Sequence, residues 1–382
     1  MITKLIYITN TRLPSEKANS YQSMQMCHSF SKAFNKVELW VGRCNNTKKL
    51  SDIKDIFGYY NLEKNFTIRS FFQFDSIFLR HLNEFVWANL KSLIFSFNVC
   101  LHLIKYRKSS EIIIYTRDWH ILYVYMLFKK IGLVNNRIFY ESHKFSKSIL
   151  IILSKIDGLV VINKYLSKVY KEHGIKRVFT AHDGVNIEEH AEISEYKHMP
   201  NKEEYIILYT GNLFPWKGVN TLVDSIEYLP KNFKLVCVGG SGKYLNDLKS
   251  YVKKTSDLKR INVIAHVSKV ELLEYIEDSD VLVLPNSAKD KMSLYTSPIK
   301  LFEYMASNRP IVASNLSSIT EVLSERNSFL FEPDNAKDLA DKIQKALSLD
   351  CSKAIDQAYE DVKPYTWKKR ARNITKFMNN KV

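Results

Sequence analysis

Short runs of four to six apolar residues alternate along this chain with longer segments whose apolar positions recur every three to four residues. In the first half the short runs predict strands at Leu5–Thr9, Val37–Val41, Ile112–Tyr115, Ile138–Glu141, Leu159–Ile162 and Val178–Thr180. In the second half they predict strands at Ile206–Thr210, Lys234–Val238, Asn262–Ala265, Val281–Leu284 and Ile311–Ala313. Strands apolar on both faces and separated by helices indicate parallel sheets covered on both sides. Two such units in series give an α/β protein of two Rossmann-like lobes.

At 382 residues the chain exceeds one ordinary domain. The polar, His- and Glu-rich stretch Ile187–Glu203 ends in Met199-Pro200-Asn201-Lys202 and marks the boundary. This gives a first domain over residues 1–195 and a second over 196–364. After Pro364, Trp367, Ala371, Ile374 and Phe377 fall near helical spacing, predicting a final helix within 365–382. The five cysteines are scattered, with no metal-ligand spacing, as expected of a reduced, cytoplasmic protein. Met1–Asn10 reads as a first strand rather than a secretory leader. The longest uncharged apolar run, Ser92–Ile104, contains Asn98 and His102 and is expected to be too short to cross a bilayer.

Charge changes the picture. The chain has 56 Lys+Arg against 40 Asp+Glu, a net +16. Residues 1–195 hold 28 basic and 17 acidic residues, or +11, and the remainder holds 28 and 23, or +5. The excess is dispersed and no nucleic-acid-binding motif accompanies it, so phosphate and an anionic membrane are favoured over nucleic acid. Phe71–Lys108 sharpens this. Its apolar positions, among them Phe78, Leu79, Leu82, Phe85, Leu93, Phe97 and Leu101, are near helical spacing and interspersed with Arg80, His81, Lys91, Lys105, Arg107 and Lys108. Such a segment is either a core helix pair with a solvated face or a basic, aromatic surface that lies on a membrane.

Candidate chemistry concentrates in the second half. Ser297-Pro298-Ile299-Lys300-Leu301-Phe302-Glu303 places a loop and helix start after the strand Val281–Leu284. A helix N-terminus seats a phosphate, and Ile299, Lys300 and Leu301 are each expected to offer a backbone N–H. Glu303, one turn on, is placed to accept hydrogen bonds from paired sugar hydroxyls. A second phosphate-directed element follows the strand Tyr205–Thr210: Gly211-Asn212-Leu213-Phe214-Pro215-Trp216-Lys217-Gly218.

Those two segments, with Val238-Gly239-Gly240-Ser241-Gly242 and Val283-Leu284-Pro285 between them, resemble the donor half of the family-four (group 1) retaining glycosyltransferases of GT-B fold. The resemblance runs in order through about Tyr205–Pro333. It continues more loosely in Pro14–Ser20, Tyr115-Thr116-Arg117, Tyr140-Glu141-Ser142-His143 and Asp183-Gly184-Val185-Asn186. It implies a GT-B protein with a cleft between its lobes, the final helix crossing back onto the first. It implies catalytic roles for Lys217, beneath the leaving diphosphate, for His143, beside the reacting carbon, and for Glu303. The implied donor-binding set is Gly211, Asn212, Lys217, Gly240, Val267, Tyr295, Ser297, Pro298, Ile299, Lys300, Leu301 and Glu303. Asn19, Ser20, Arg117 and Asp118 are the implied acceptor-side residues.

The chain departs from the family pattern twice. Asn212 stands where many relatives carry Arg, which makes Lys300 a candidate for the missing cation. Tyr295 stands eight positions before Glu303, where relatives carry a first Glu, and Asp290 is the nearest carboxylate upstream. Two look-alikes are set aside. Asp278-Ser279-Asp280 precedes a strand instead of following one, and Gly239–Lys243 lacks P-loop spacing.

The expectation is a metal-independent, retaining hexosyltransferase with no cofactor. Its partners would be a nucleotide sugar, UDP-linked ahead of GDP-mannose, and a lipid-linked bacterial surface glycan such as a capsule, O-antigen or lipooligosaccharide. It would sit peripherally on the inner face of an anionic membrane. The alternative is a degenerate GT-B subunit that binds nucleotide or glycan without transfer.

Overall fold

The computed structural model describes residues 3–46, 48–74, 83–199, 202–255 and 258–380. Phe78, Leu79, Arg80, His81 and Leu82 of the basic, aromatic segment lie outside the described residues, as do Pro200 and Asn201 of the expected boundary.

The chain divides into two compact units, Met1–His182 with Trp367–Val382, and Asp183–Thr366. The division falls earlier than the polar stretch suggested. Val185 donates its N–H to Tyr365 O, and Val185 and Ile193 are buried in the core of the second unit. Polar composition around residue 190 therefore marks a surface turn of the second unit rather than the linker.

The first unit is built on seven strands: β1 (Lys4–Thr9), β2 (Lys36–Gly42), β3 (Thr67–Phe71), β4 (Ile112–Thr116), β5 (Arg137–Ser142), β6 (Gly158–Val161) and β7 (Val178–Thr180). They form one parallel sheet in the order β3-β2-β1-β4-β5-β6-β7. The second unit has six: β8 (Tyr205–Thr210), β9 (Phe233–Val238), β10 (Ile261–Ile264), β11 (Val281–Leu284), β12 (Ile311–Ser314) and β13 (Phe329–Phe331). Their order is β10-β9-β8-β11-β12-β13, also parallel. In both sheets the order reverses beside the first strand, at β1/β4 and at β8/β11. Such a switch point opens a crevice beyond the carboxyl ends of the strands, where α/β sheets bind their ligands.

Eleven of the thirteen strands coincide with the apolar runs to within a residue or so. β3 and β13 do not. Each is an edge strand, so only one neighbour covers it, and Thr67-Ile68-Arg69-Ser70 carries too little apolar signal to be read as a strand.

The first long helix spans Ala18–Phe30. The final helix, Trp367–Asn379, packs on it within the first unit, with Trp367 edge-on to Tyr21 at 6.3 Å. Phe377 stacks on Phe179 at 5.2 Å between centroids. Glu84–Leu103 is a single helix, longer than the apolar run Ser92–Ile104 implied, because Lys91 rides on it without interrupting it. Val86–Tyr106 is long and apolar enough to cross a membrane, by length and composition. Phe95, Val99, Cys100 and Leu103 on this helix are nonetheless fully buried in the first unit.

Candidate functional site

The turns after β8 and β9 are built around glycines that side chains could not replace. At Gly218, φ is +69° and an added Cβ would lie 1.8 Å from Pro285 O; at Gly239, φ is +128° and a Cβ would lie 2.4 Å from Gly211 O. These close approaches press the turns after β8, β9 and β11 together at the switch point. Ser287 N donates to Trp216 O at 3.1 Å across the same contact.

Two lysines are buried here. Lys217, in the single turn Pro215–Lys217, lies 3.8 Å over the Trp216 ring. Lys300 lies 3.6 Å over Tyr209 and donates to Thr210 O at 3.0 Å. Burial pushes Lys217 down to about 7, and Lys300 well below its ordinary range through burial and the neighbouring Lys217. Among the described residues no carboxylate forms an ion pair with either ammonium. Two buried lysines drawn together, with only the longer-range field of Glu303 to offset them, form an arrangement whose charged state a diphosphate stabilises. Asn286 sits in the loop pressed against this turn, fully buried, and neither carboxamide atom is hydrogen-bonded among the described residues.

A short helix follows β11 and its loop. It spans Ile299–Met305 with Pro298 at the cap position. Ser297 Oγ accepts the Asp183 N–H at 3.0 Å, so this serine ties the unit's first residue in place instead of capping the helix. The Leu301 N–H donates to Pro298 O at 2.9 Å and is not available to a ligand. The expectation of three free amides is corrected for Leu301, because the first turn closes on itself.

Glu303 is ion-paired to Lys269 at 2.5 Å, and Lys269 also lies 3.8 Å from Glu189. Burial would raise the Glu303 carboxyl, but the Lys269 ammonium outweighs it and holds the carboxyl below its ordinary value. His190 is buried and hydrogen-bonded to Ser307 Oγ at 3.0 Å; burial and Lys269 push it down to about 4, so it stays neutral. Lys269, Glu189 and His190 escaped the sequence reading because no spacing rule joins positions 189, 269 and 303.

The remaining donor-side residues surround this centre unevenly. Val267 is half-buried between β10 and the helix Lys269–Glu277, where His266 N donates to Gly240 O at 3.2 Å. Asn212 is exposed, and its carbonyl accepts the Tyr209 hydroxyl at 2.6 Å. Tyr295 is half-buried at the end of the short turn Lys291–Tyr295. Asp290 caps that turn through Met292 N at 2.8 Å. Asp280 accepts the Ile206 N–H at 2.7 Å and pairs with Lys202, as befits a turn leading into β11.

In the first unit His143, just after β5, donates from Nε2 to Glu141 Oε1 at 2.7 Å. Glu141 is fully buried; it also accepts from Gln22 Nε2 at 3.0 Å and from the Tyr115 hydroxyl, and pairs with Arg370 at 3.2 Å. Burial alone would raise its carboxyl, but Arg370, His143 and Arg117 hold it well below the usual range. Arg117 donates to Gln22 Oε1, closing the network. Sequence reading found His143 and Arg117 but not Gln22 or Arg370, which reach Glu141 from 119 and 229 positions away.

Asp118 caps the helix Trp119–Lys130, accepting from His120 N at 3.0 Å, and is occupied by that role. Ser20 is fully buried, its hydroxyl donating to Arg12 O at 3.0 Å and lying 2.7 Å from Thr11 Oγ1. Asn19 is half-buried beside it. Among the described residues no group of three His, Cys, Asp or Glu side chains is placed to hold a metal ion.

Two doubly wound, parallel units with a lysine-lined switch point define a protein of GT-B fold. Residues 191–369 match the family model described as Glycosyl transferases group 1. An uncharacterized glycosyltransferase of Methanocaldococcus jannaschii is 25% identical over 58% of this chain and 58% of its own length. The phosphatidylinositol N-acetylglucosaminyltransferase GPI3 subunit of Saccharomyces cerevisiae is 22% identical over 62% of this chain and 53% of its own. The chain thus spans a little over half the length of these curated relatives. Anabaena HepE, solved in complex with UDP and glucose, has the same fold, with a TM-score of 0.73 and 14% identity over 99% of this chain and 100% of that one. The chain is therefore similar to the group 1 glycosyltransferases over its second unit, and its architecture is that of the GT-B fold.

Proposed function

We propose that this protein is a retaining glycosyltransferase that moves a sugar from a nucleoside-diphosphate sugar to a lipid-linked glycan of a bacterial surface. A UDP-sugar is favoured over GDP-mannose, as the bound UDP of HepE suggests by analogy. A lipid-linked acceptor accords with the name of the yeast relative. The observation that carries the reading is the buried pair Lys217 and Lys300 at the β8/β11 switch point.

As the glycosidic bond breaks, charge develops on the departing diphosphate. Preorganised cations aimed at that charge lower the barrier, and in this reading the two lysines do the work of a divalent ion. Glu303 accepts the ribose hydroxyls through the oxygen that Lys269 leaves open. His143, oriented by Glu141, is the residue the resemblance puts beside the reacting carbon. The enzyme works peripherally at the cytoplasmic face of the membrane.

Purified full-length protein, incubated with a panel of nucleotide sugars and acceptor lipids, should release nucleoside diphosphate without added metal, and the product's anomeric configuration should match the donor's. Glu303→Gln should weaken UDP binding ten- to hundredfold, the cost of about 1.5–3 kcal/mol for a charged hydrogen bond. Failure of every nucleotide to stabilise the protein would overturn the reading. Stabilisation without turnover on any donor would favour a binding-only GT-B subunit.

A further inference from the structure

We propose that the outward faces of the helices Glu84–Leu103 and Trp119–Lys130 form a docking surface that lies in the interfacial plane of an anionic bilayer, with apolar side chains inserted among the lipids. The inference deepens the proposed lipid-linked acceptor, but its observations and its test are independent of glycosyl transfer.

Val86, Leu90, Leu93, Phe97 and Leu101 are spaced four, three, four and four residues apart, so they share one helix face. All are exposed, from 43% at Leu93 to 61% at Val86, while Phe95, Val99 and Leu103 on the inner face are fully buried. This helix is apolar on both its buried and its outward sides. A surface helix of a protein bathed only in water would carry polar residues outward. Leu93, Ile94, Phe97, Asn98 and Leu101 line an open groove of about 410 Å³.

The neighbouring helix continues the surface. Tyr123, Leu127 and Ile131, at successive intervals of four, are 38%, 54% and 61% exposed. The two helices are joined by Phe97 packing edge-on to Phe128 at 5.3 Å, and by a hydrogen bond between His120 and Asn89 at 3.0 Å.

Charge selects the partner. Neither Val86–Leu103 nor Trp119–Lys130 contains an acidic residue. Lys105, Arg107 and Lys108 follow the first helix, Lys129 and Lys130 end the second, and none of these five forms an ion pair among the described residues. An acid-free apolar face with cationic ends matches an interfacial surface that meets anionic headgroups. A second copy of the chain docked symmetrically on this face would bring like charges together. A spanning arrangement of Val86–Tyr106 would strip Phe95, Val99 and Leu103 out of the core they complete.

The test is co-sedimentation of the full chain with vesicles of phosphatidylcholine alone or mixed with phosphatidylglycerol, at low and high salt. Wild type should bind the anionic vesicles, more weakly at high salt. The combined Val86→Ser, Leu101→Ser and Leu127→Ser variant should lose binding at least tenfold without lowering its melting temperature, because these side chains are exposed. A Phe97→Trp reporter should shift its emission to the blue on binding and be quenched by brominated acyl chains. UDP stabilisation measured on the same samples separates failure of this surface from failure of the transferase reading. Four results would overturn the proposal: no binding at low salt, serine variants that bind like wild type, a protein released only by detergent, or a dimer that the serine variants dissociate.

Discussion

Lys217 is where a single residue sets the pH behaviour. Its ammonium is held down to about 7 by burial, so in the free protein it loses its proton as pH rises past neutrality. A bound diphosphate favours the charged form and raises that value. Affinity for a nucleotide sugar, whose diphosphate does not titrate in this range, should be full below pH 7 and fall by up to tenfold per unit above it. Titration calorimetry between pH 6 and 9, taken as round limits bracketing that value, checks the slope. Lys217→Arg, which keeps its charge, should flatten it. Lys217→Ala should lower turnover more than it weakens donor binding, and a variant altered only in donor KM would show that this lysine merely holds the ground state.

Glu141 behaves oppositely. Its carboxyl is held low in the folded protein, so the stability it supplies is present above the unfolded value of about 4 and is lost as pH falls through the folded one. Glu141→Gln leaves Arg370 buried without its counter-charge and should cost about 3–5 kcal/mol in denaturant unfolding. A loss below 1 kcal/mol would show that Arg370 finds another acceptor.

At the scale of elements, the strand-to-helix turns of the second unit are held by backbone geometry more than by side chains. Gly218→Ala would force a Cβ onto the Pro285 carbonyl and should cost more than 2 kcal/mol as well as displacing Lys217. Gly132→Ala, also at positive φ (+74°) but with nothing within 4 Å, should cost only about 1 kcal/mol. Chemical denaturation of the pair separates crowding from conformational strain. Equal losses would mean that the loop relaxes and that the close packing of the turns is not required. The helix Lys269–Glu277 is fixed by a capping box between Ser268 and Glu271, which sets where Lys269 meets Glu303. That placement depends on a local motif, although the ion pair it creates is long-range.

At the scale of the whole molecule, the C-terminal helix is part of the first unit's core. Ile374 and Met378 are fully buried, and Arg370 supplies the ion pair to Glu141 as well as a hydrogen bond to His182 O at 2.8 Å. Ending the chain at Thr366 should therefore destabilise the first unit while leaving the Lys217–Lys300–Glu303 centre intact in the second. Calorimetry of the truncated chain should show a lost or lowered transition for the first unit. A surviving transition should still rise with UDP. An unchanged profile would refute the structural role of the helix.

The sequence alone determined the strands buried on both faces, because four to six apolar residues in a row can satisfy only a covered parallel sheet. It also determined the glycine-bearing turns and the positions of Lys217, Lys300, Glu303 and His143, since those signals are local and ordered along the chain. The edge strands β3 and β13, the division at His182 and the single long helix through Lys91 were decided by tertiary packing. Local composition there was ambiguous, and burial chose among its readings. Only the folded chain brought Arg370 and Gln22 to Glu141, or Lys269 and His190 to Glu303. The partners of a buried charge are set by which distant segments share a core, and no periodicity in one dimension encodes that.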